Sequence, residues 1–92
     1  TMQDQMWVCL TKMKQVLEDA GSCLDNVFKT FIMLKDIKDY PVMRATELKF
    51  YQEYAPDLVE HPPASTILQA GSLARPEFLI EIECNAVVNK KQ

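Results

Sequence analysis

Residues 62–83 run Pro-Pro-Ala-Ser-Thr-Ile-Leu-Gln-Ala-Gly-Ser-Leu-Ala-Arg-Pro-Glu-Phe-Leu-Ile-Glu-Ile-Glu. This stretch decides the fold class. Pro62 and Pro63 lack backbone donors and fix φ, so they belong before a sheet ladder and not within it. A strand is expected after them. Gly71 and Pro76 then bracket a turn of hairpin length, followed by a second strand. In that strand Ile80, Ile82, Cys84, Ala86 and Val88 fall on one face, and Glu81, Glu83 and Asn85 on the other. A period of two with this contrast buries one face and leaves the other to water, a partner or a ligand.

Upstream, the segment Gln5–Ala20 has helical periodicity. Met6, Leu10, Met13, Leu17 and Ala20 form one apolar stripe, widened by Trp7 and Val16. Asp4 is the expected N-cap and Gly21 the left-handed stop. Turn residues 20–26 lead into Val27–Leu34, a strand apolar on both faces, as suits a central position. Its polar interruptions, Lys29 and Thr30, are the residues available to a cleft. After a charged link at Lys35–Lys38, Asp39 and Pro41 open a second helix reaching Tyr54. Tyr40, Met43, Glu47, Phe50, Tyr51 and Tyr54 lie along one side of it, and Glu47 is the oddity in that aromatic row. Ala55–Pro63 reads as a loop, and Asn89–Gln92 as a polar tail.

The order helix, strand, helix, strand, strand is that of an α+β domain, read as one unit over residues 1–92. Two helices cover only one face of a three-stranded sheet, so the other face needs further strands or other subunits. That open face is expected to carry Phe31 or Ile32, then Ser65, Ile67 and Gln69 or their neighbours, with Glu81 and Glu83.

The chain has 92 residues, 48% of them hydrophobic and 25% charged, with a formal net charge of −3. Those proportions suit an ordinary globular domain with a modest core. The acidic balance, with lysines interleaved among acids, argues against a nucleic-acid partner. No apolar run reaches membrane-spanning length, so no membrane partner is expected. Three cysteines, Cys9, Cys23 and Cys84, form no Cys-x-x-Cys pair, which points to a reduced, cytoplasmic setting. The single histidine, His61, has no second ligand near it in sequence. No metal and no cofactor are therefore expected.

Several segments resemble the Rid (YjgF) family of small homotrimeric proteins. They are Gln5 with Val16-Leu17-Glu18-Asp19-Ala20-Gly21, then Leu24-Asp25-Asn26-Val27-Phe28-Lys29-Thr30, then Leu34, Asp36 and Asp39-Tyr40. Phe50-Tyr51, Pro63-Ala64 and Ile80-Glu81-Ile82-Glu83 with Ala86 complete the series. The resemblance implies a chorismate mutase-like fold, a sheet packed on two helices, with three copies making a barrel-like core and ligand clefts between subunits. It implies hydrolysis of reactive enamines and imines, such as 2-iminobutanoate and 2-iminopropanoate, so the expected ligand is a small imino or oxo acid. It also implies two further strands ahead of the first helix, and residue 1 falls after the position expected for them.

Site residues follow from the same resemblance. Glu81 matches the family's cleft glutamate, which positions or protonates through a water, and is the expected catalytic residue. Active deaminases carry an arginine directly after the Pro-Ala pair, where it clamps a substrate carboxylate; here that position is Ser65. Losing such a bidentate grip costs on the order of 2–5 kcal/mol. Ile67 stands where active members often have cysteine. From the residues themselves, Glu83 lies about 7 Å from Glu81 between Cα atoms on the same face, close enough for the two carboxylates to act as a pair. Arg75, in the turn after Leu73, is placed to reach a carboxylate across a subunit boundary. Substrate contacts are thus expected from Ser65, Ile67, Arg75 and Glu83. Three functions compete: an imine/enamine deaminase with an altered clamp, a non-catalytic binder of small carboxylates, and an endoribonuclease or translation inhibitor, a label some relatives carry. The acidic balance speaks against the third.

Overall fold

A computed structural model describes residues 1–88; the polar tail at Asn89–Gln92 lies outside the described residues. The first helix, α1, spans Met2–Asp19 and starts earlier than its apolar periodicity indicates. Thr1, not Asp4, is the N-cap. Its hydroxyl accepts from the Asp4 N–H and donates to the Asp4 carboxylate at 2.8 Å, so Asp4 completes the cap from inside the first turn. Met2, Met6, Leu10 and Leu17 are buried along the stripe. Val16 is 65% exposed, because it sits about 100° around the helix from Leu17 and misses the core. Gly21 ends the helix at φ +83°, as its sequence position requires.

Strand β1 spans Val27–Leu34, the following helix α2 spans Tyr40–Tyr54, and a single turn, α3, covers Asp57–Glu60 within the expected loop. Strands β2, Ala64–Gln69, and β3, Ile80–Ala86, complete the sheet. Its order is β2-β1-β3, so the hairpin suggested by the spacing of Gly71 and Pro76 does not form. β1 lies between the two late strands, parallel to β2 and antiparallel to β3. The cause is already in β1: a strand apolar on both faces gains most at the centre. Helix α2 provides the crossover that a parallel β1–β2 pair needs.

Register assigns the faces. Thr30, Ile32 and Leu34 are fully buried beneath the helices, opposite Ser65, Ile67 and Gln69 of β2 and Cys84, Ile82 and Ile80 of β3. Phe31 and Met33 look the other way, beside Thr66, Leu68, Glu83 and Glu81. A register shift between Val27 and Lys29 changes the parity at the start of β1. Val27 is therefore buried, while Phe28, which strict alternation would place with Ile32, is 56% exposed.

One hydrophobic cluster joins α1, α2 and the covered sheet face through Met6, Leu10, Ile32, Leu34, Met43, Phe50 and Tyr51. Each such fully buried side chain contributes about 1.5–3 kcal/mol. The helices meet edge to face, with Trp7 and Phe50 ring centroids 4.9 Å apart. Tyr40 and Tyr54, at the two ends of the aromatic row, remain exposed.

Candidate functional site

Two concavities are lined by residues that the sequence singles out. The larger, about 510 Å³, runs between α1 and the outer edge of β3, and its walls include Val8, Cys9, Lys12, Phe78, Glu81 and Ile82. Among the described residues, β3 has a ladder partner only on its β1 side, so a backbone edge borders this groove. Glu81 is half-buried here, and its carboxylate accepts the Ala74 N–H at 2.9 Å. That bond ties the acid to the loop crossing from β2 to β3. Gln5 fastens the same loop to α1: its side-chain amide donates to the Glu77 carbonyl at 2.9 Å and accepts from the Leu79 N–H at 2.7 Å. Burial pushes the Cys9 thiol up, Lys12 draws it down more weakly, and the Glu81 charge adds a smaller upward push. Cys9 therefore lacks the lowered pKa that activates a thiol, and it packs against the hydrophobic core.

The smaller pocket, about 240 Å³, lies on the helix side of the sheet between α2 and β2. Thr30, Arg44, Glu47, Tyr51, Ser65 and Ile67 line it, and Pro62 and Pro63 close one end. The two strands place the hydroxyls of Thr30 and Ser65 in register, and Thr30 donates to Ser65 at 2.9 Å. That bond satisfies a buried hydroxyl. Lys29, the other polar residue of β1, turns to the opposite face and donates to Thr66.

Glu47, the odd member of the aromatic row, is 6% exposed. A buried carboxylate needs partners, and it has two. Arg44 Nη1 donates to one oxygen at 2.8 Å; the Tyr51 hydroxyl faces the other at 3.4 Å. Burial is the main influence on the Glu47 carboxyl and raises it above the ordinary carboxylate range; the Arg44 charge and the bonds from Arg44 and Tyr51 oppose that rise. Tyr51 is held un-ionised, chiefly by burial and then by the Glu47 charge. Arg44 and Glu47 carried no motif of their own. The available signal was an acid at a core position of α2 with a base one helical turn before it, a pairing distance on a helix face.

The comparisons with known proteins agree with this architecture. A family model described as Endoribonuclease L-PSP matches residues 1–88. The chain belongs to this family, the Rid (YjgF) proteins. It is 38% identical over 73 residues to the 3-aminoacrylate deaminase RutC of Acinetobacter baylyi, covering 79% of this chain and 52% of that one. It is 36% identical over 88 residues to the protein mmf2, mitochondrial, of Schizosaccharomyces pombe, covering 94% of this chain and 64% of that one. The crystal structure of the YjgF gene product from E. coli superposes with a TM-score of 0.83 at 26% identity, covering 97% of this chain and 66% of that one. The chain thus spans about half to two thirds of the length of the relatives it matches.

Among the residues that the Rid resemblance and the spacing single out, the structure brings Ser65 and Ile67 together in the α2–β2 pocket. It does not bring them to Glu81 and Glu83. Ser65 pairs with Thr30 and Glu81 with Met33, on opposite edges and opposite faces of the sheet. Within one molecule their backbones are separated by about 10 Å across the strands and about 10 Å along them. Glu83 is exposed beside Phe31. Arg75 is exposed in the loop, where its carbonyl accepts the Phe78 N–H. Among the described residues, no group of three His, Cys, Asp or Glu side chains is placed to hold a metal ion, and no helix is long and apolar enough to cross a membrane.

Proposed function

We propose that this protein is a homotrimer that takes small 2-imino and 2-oxo acids into clefts between its subunits and hydrolyses the imine form to the oxo acid and ammonia. The observation that carries the reading is the separation of Ser65 from Glu81 on opposite faces and edges of one sheet. Juxtaposing a second copy is the economical way for one ligand to meet both. The open face supports such juxtaposition. Phe28 is 56% and Leu68 39% exposed, with Phe31 and Met33 half-covered between them, the kind of surface an oligomer buries. The name of the 38% identical relative, a 3-aminoacrylate deaminase, supports the reaction class.

In this reading Glu81 holds a water, or passes a proton through it, while that water adds to the imine carbon. Carbon–nitrogen cleavage then releases ammonia and leaves the carbonyl. Ser65 and Ile67 line the pocket beside the substrate, and Arg75 and Glu83 approach it from the neighbouring copy. The test is ammonia release from 2-iminobutanoate generated in situ. Acceleration over buffer, lost in Glu81→Gln, is the expected result; no acceleration with several imino acids would reject the catalytic reading.

Ser65 favours a second reading, a non-catalytic binder of the same acids, because a hydroxyl cannot supply the bidentate charged grip of arginine. Thermal stabilisation by 2-oxo acids without turnover would select it. Cleavage of RNA abolished by Glu81→Gln would instead point to an endoribonuclease. We place the protein in the cytoplasm, where its three free cysteines would stay reduced. Imaging of the tagged protein tests this against a mitochondrial location.

A further inference from the structure

The pocket that contains Ser65 also contains a cation on another element. Arg44 of α2 lines the same space of about 240 Å³ as Thr30, Ser65 and Ile67. Among the described residues lining it, Arg44 is the one basic side chain. We propose that Arg44 is the carboxylate-binding residue of this protein, the positive charge being delivered from the helix and not from β2. This inference rests on the reading of the pocket as a site for small imino or oxo acids and names the group that confers acid selectivity.

Geometry supplies the reasons. A guanidinium has five donors in a planar fork, and Glu47 engages Arg44 through Nη1. The side chain is 42% exposed while that of Glu47 is 8% exposed. The ion pair therefore anchors one edge of the fork in the protein and leaves donors available to the pocket. Tyr51 holds the far oxygen of Glu47, so a buried chain from Tyr51 through Glu47 sets the direction of Arg44. Glu47 is accordingly a positioning residue.

Ser65 complements this arrangement. Its oxygen accepts from Thr30, which leaves its own O–H to donate into the pocket. One charged fork and one neutral hydroxyl on facing walls suit a carboxylate with an adjacent carbonyl or imine. The volume lies below the roughly 300–1,000 Å³ typical of drug-sized ligand sites, which suits a short-chain acid.

The test is calorimetric titration of the full-length protein with 2-oxobutanoate and with butanone, its counterpart without the carboxylate. Wild type is expected to bind the acid at least tenfold more tightly. Arg44→Gln should lose that preference, and the double variant Arg44→Gln/Ser65→Arg should regain it. Glu47→Gln, with Arg44 intact but no longer held by a carboxylate, should weaken the acid several-fold and leave butanone unchanged, a split that general loosening of the fold would not give. Should Arg44→Gln fail to fold, Arg44→Lys keeps the charge and the partner but loses the fork, and should weaken the acid several-fold. Unchanged acid affinity in Arg44→Gln or, where that variant does not fold, in Arg44→Lys overturns the assignment of Arg44 while the small-acid reading stands. Wild type that prefers neither compound overturns both.

Discussion

Glu47 concentrates the residue-scale physics of this protein. Its folded state holds a proton more tightly than its unfolded state, because burial outweighs the pull of Arg44. A raised folded pKa adds stability that is complete below the unfolded carboxylate value, about pH 4, and is lost as pH rises through the folded value. Melting temperatures recorded from about pH 4 to pH 7 should show Glu47→Gln gaining relative to wild type as pH rises through that window. A difference between the two proteins that does not vary with pH would contradict the sign. Gln5 offers a second case. Its amide bonds both the Glu77 carbonyl and the Leu79 N–H, so Gln5→Ala removes two links between α1 and the crossing loop. Urea unfolding should report a loss of about 1–3 kcal/mol. The sequence displayed Glu47 as an acid in an aromatic row, and Gln5 as part of a family pattern. The partners of Glu47, Arg44 and Tyr51, lie within about one helical turn of it; those of Gln5 were hidden, because partnership across 72 or 74 residues is a tertiary fact.

Among the elements, periodicity was decisive where one face met the core. The stripe of α1, the bounds of β1 and the alternation of β3 were legible because burial selects apolar residues at fixed intervals. Alternation failed at Phe28, where the register shift after Val27 inverts the parity of the strand start. Pairing order was likewise hidden. Gly71 and Pro76 describe a turn equally well whether the next strand lies adjacent or one place beyond, and β1 occupies the place between. Ile32 tests that central role, being fully buried with a partner strand on each side. Ile32→Ala should cost about 2–5 kcal/mol by the same urea measurement. Gly21→Ala should lower stability by about 1–2 kcal/mol through its left-handed φ alone, since the new methyl would meet nothing closer than Val88 at 4.0 Å.

At the scale of the whole molecule, the sheet has one face beneath two helices and, among the described residues, one face without them. A trimer in solution, the state we propose, would bury the second. Met33 and Leu68 stand side by side there. Sedimentation of wild type at micromolar concentration should give the mass of three chains, and Met33→Glu/Leu68→Glu should give one, since like charges brought onto a buried face must be desolvated. Persistence of the trimer in that variant would move the interface elsewhere.

The sequence by itself left open the short α3 and the inward faces of β1 and β2. It determined the two long helices, the three strands, the family and the inward faces of α1, α2 and β3. It could do so because each of those is written in spacing along the chain, where burial acts on neighbours a few residues apart. Only the tertiary structure decided that β1 separates β2 from β3, that Ser65 and Glu81 face away from each other, and that Arg44 shares a pocket with Ser65. Those relations depend on distances across space, and residues far apart in the chain carry no periodic trace of one another.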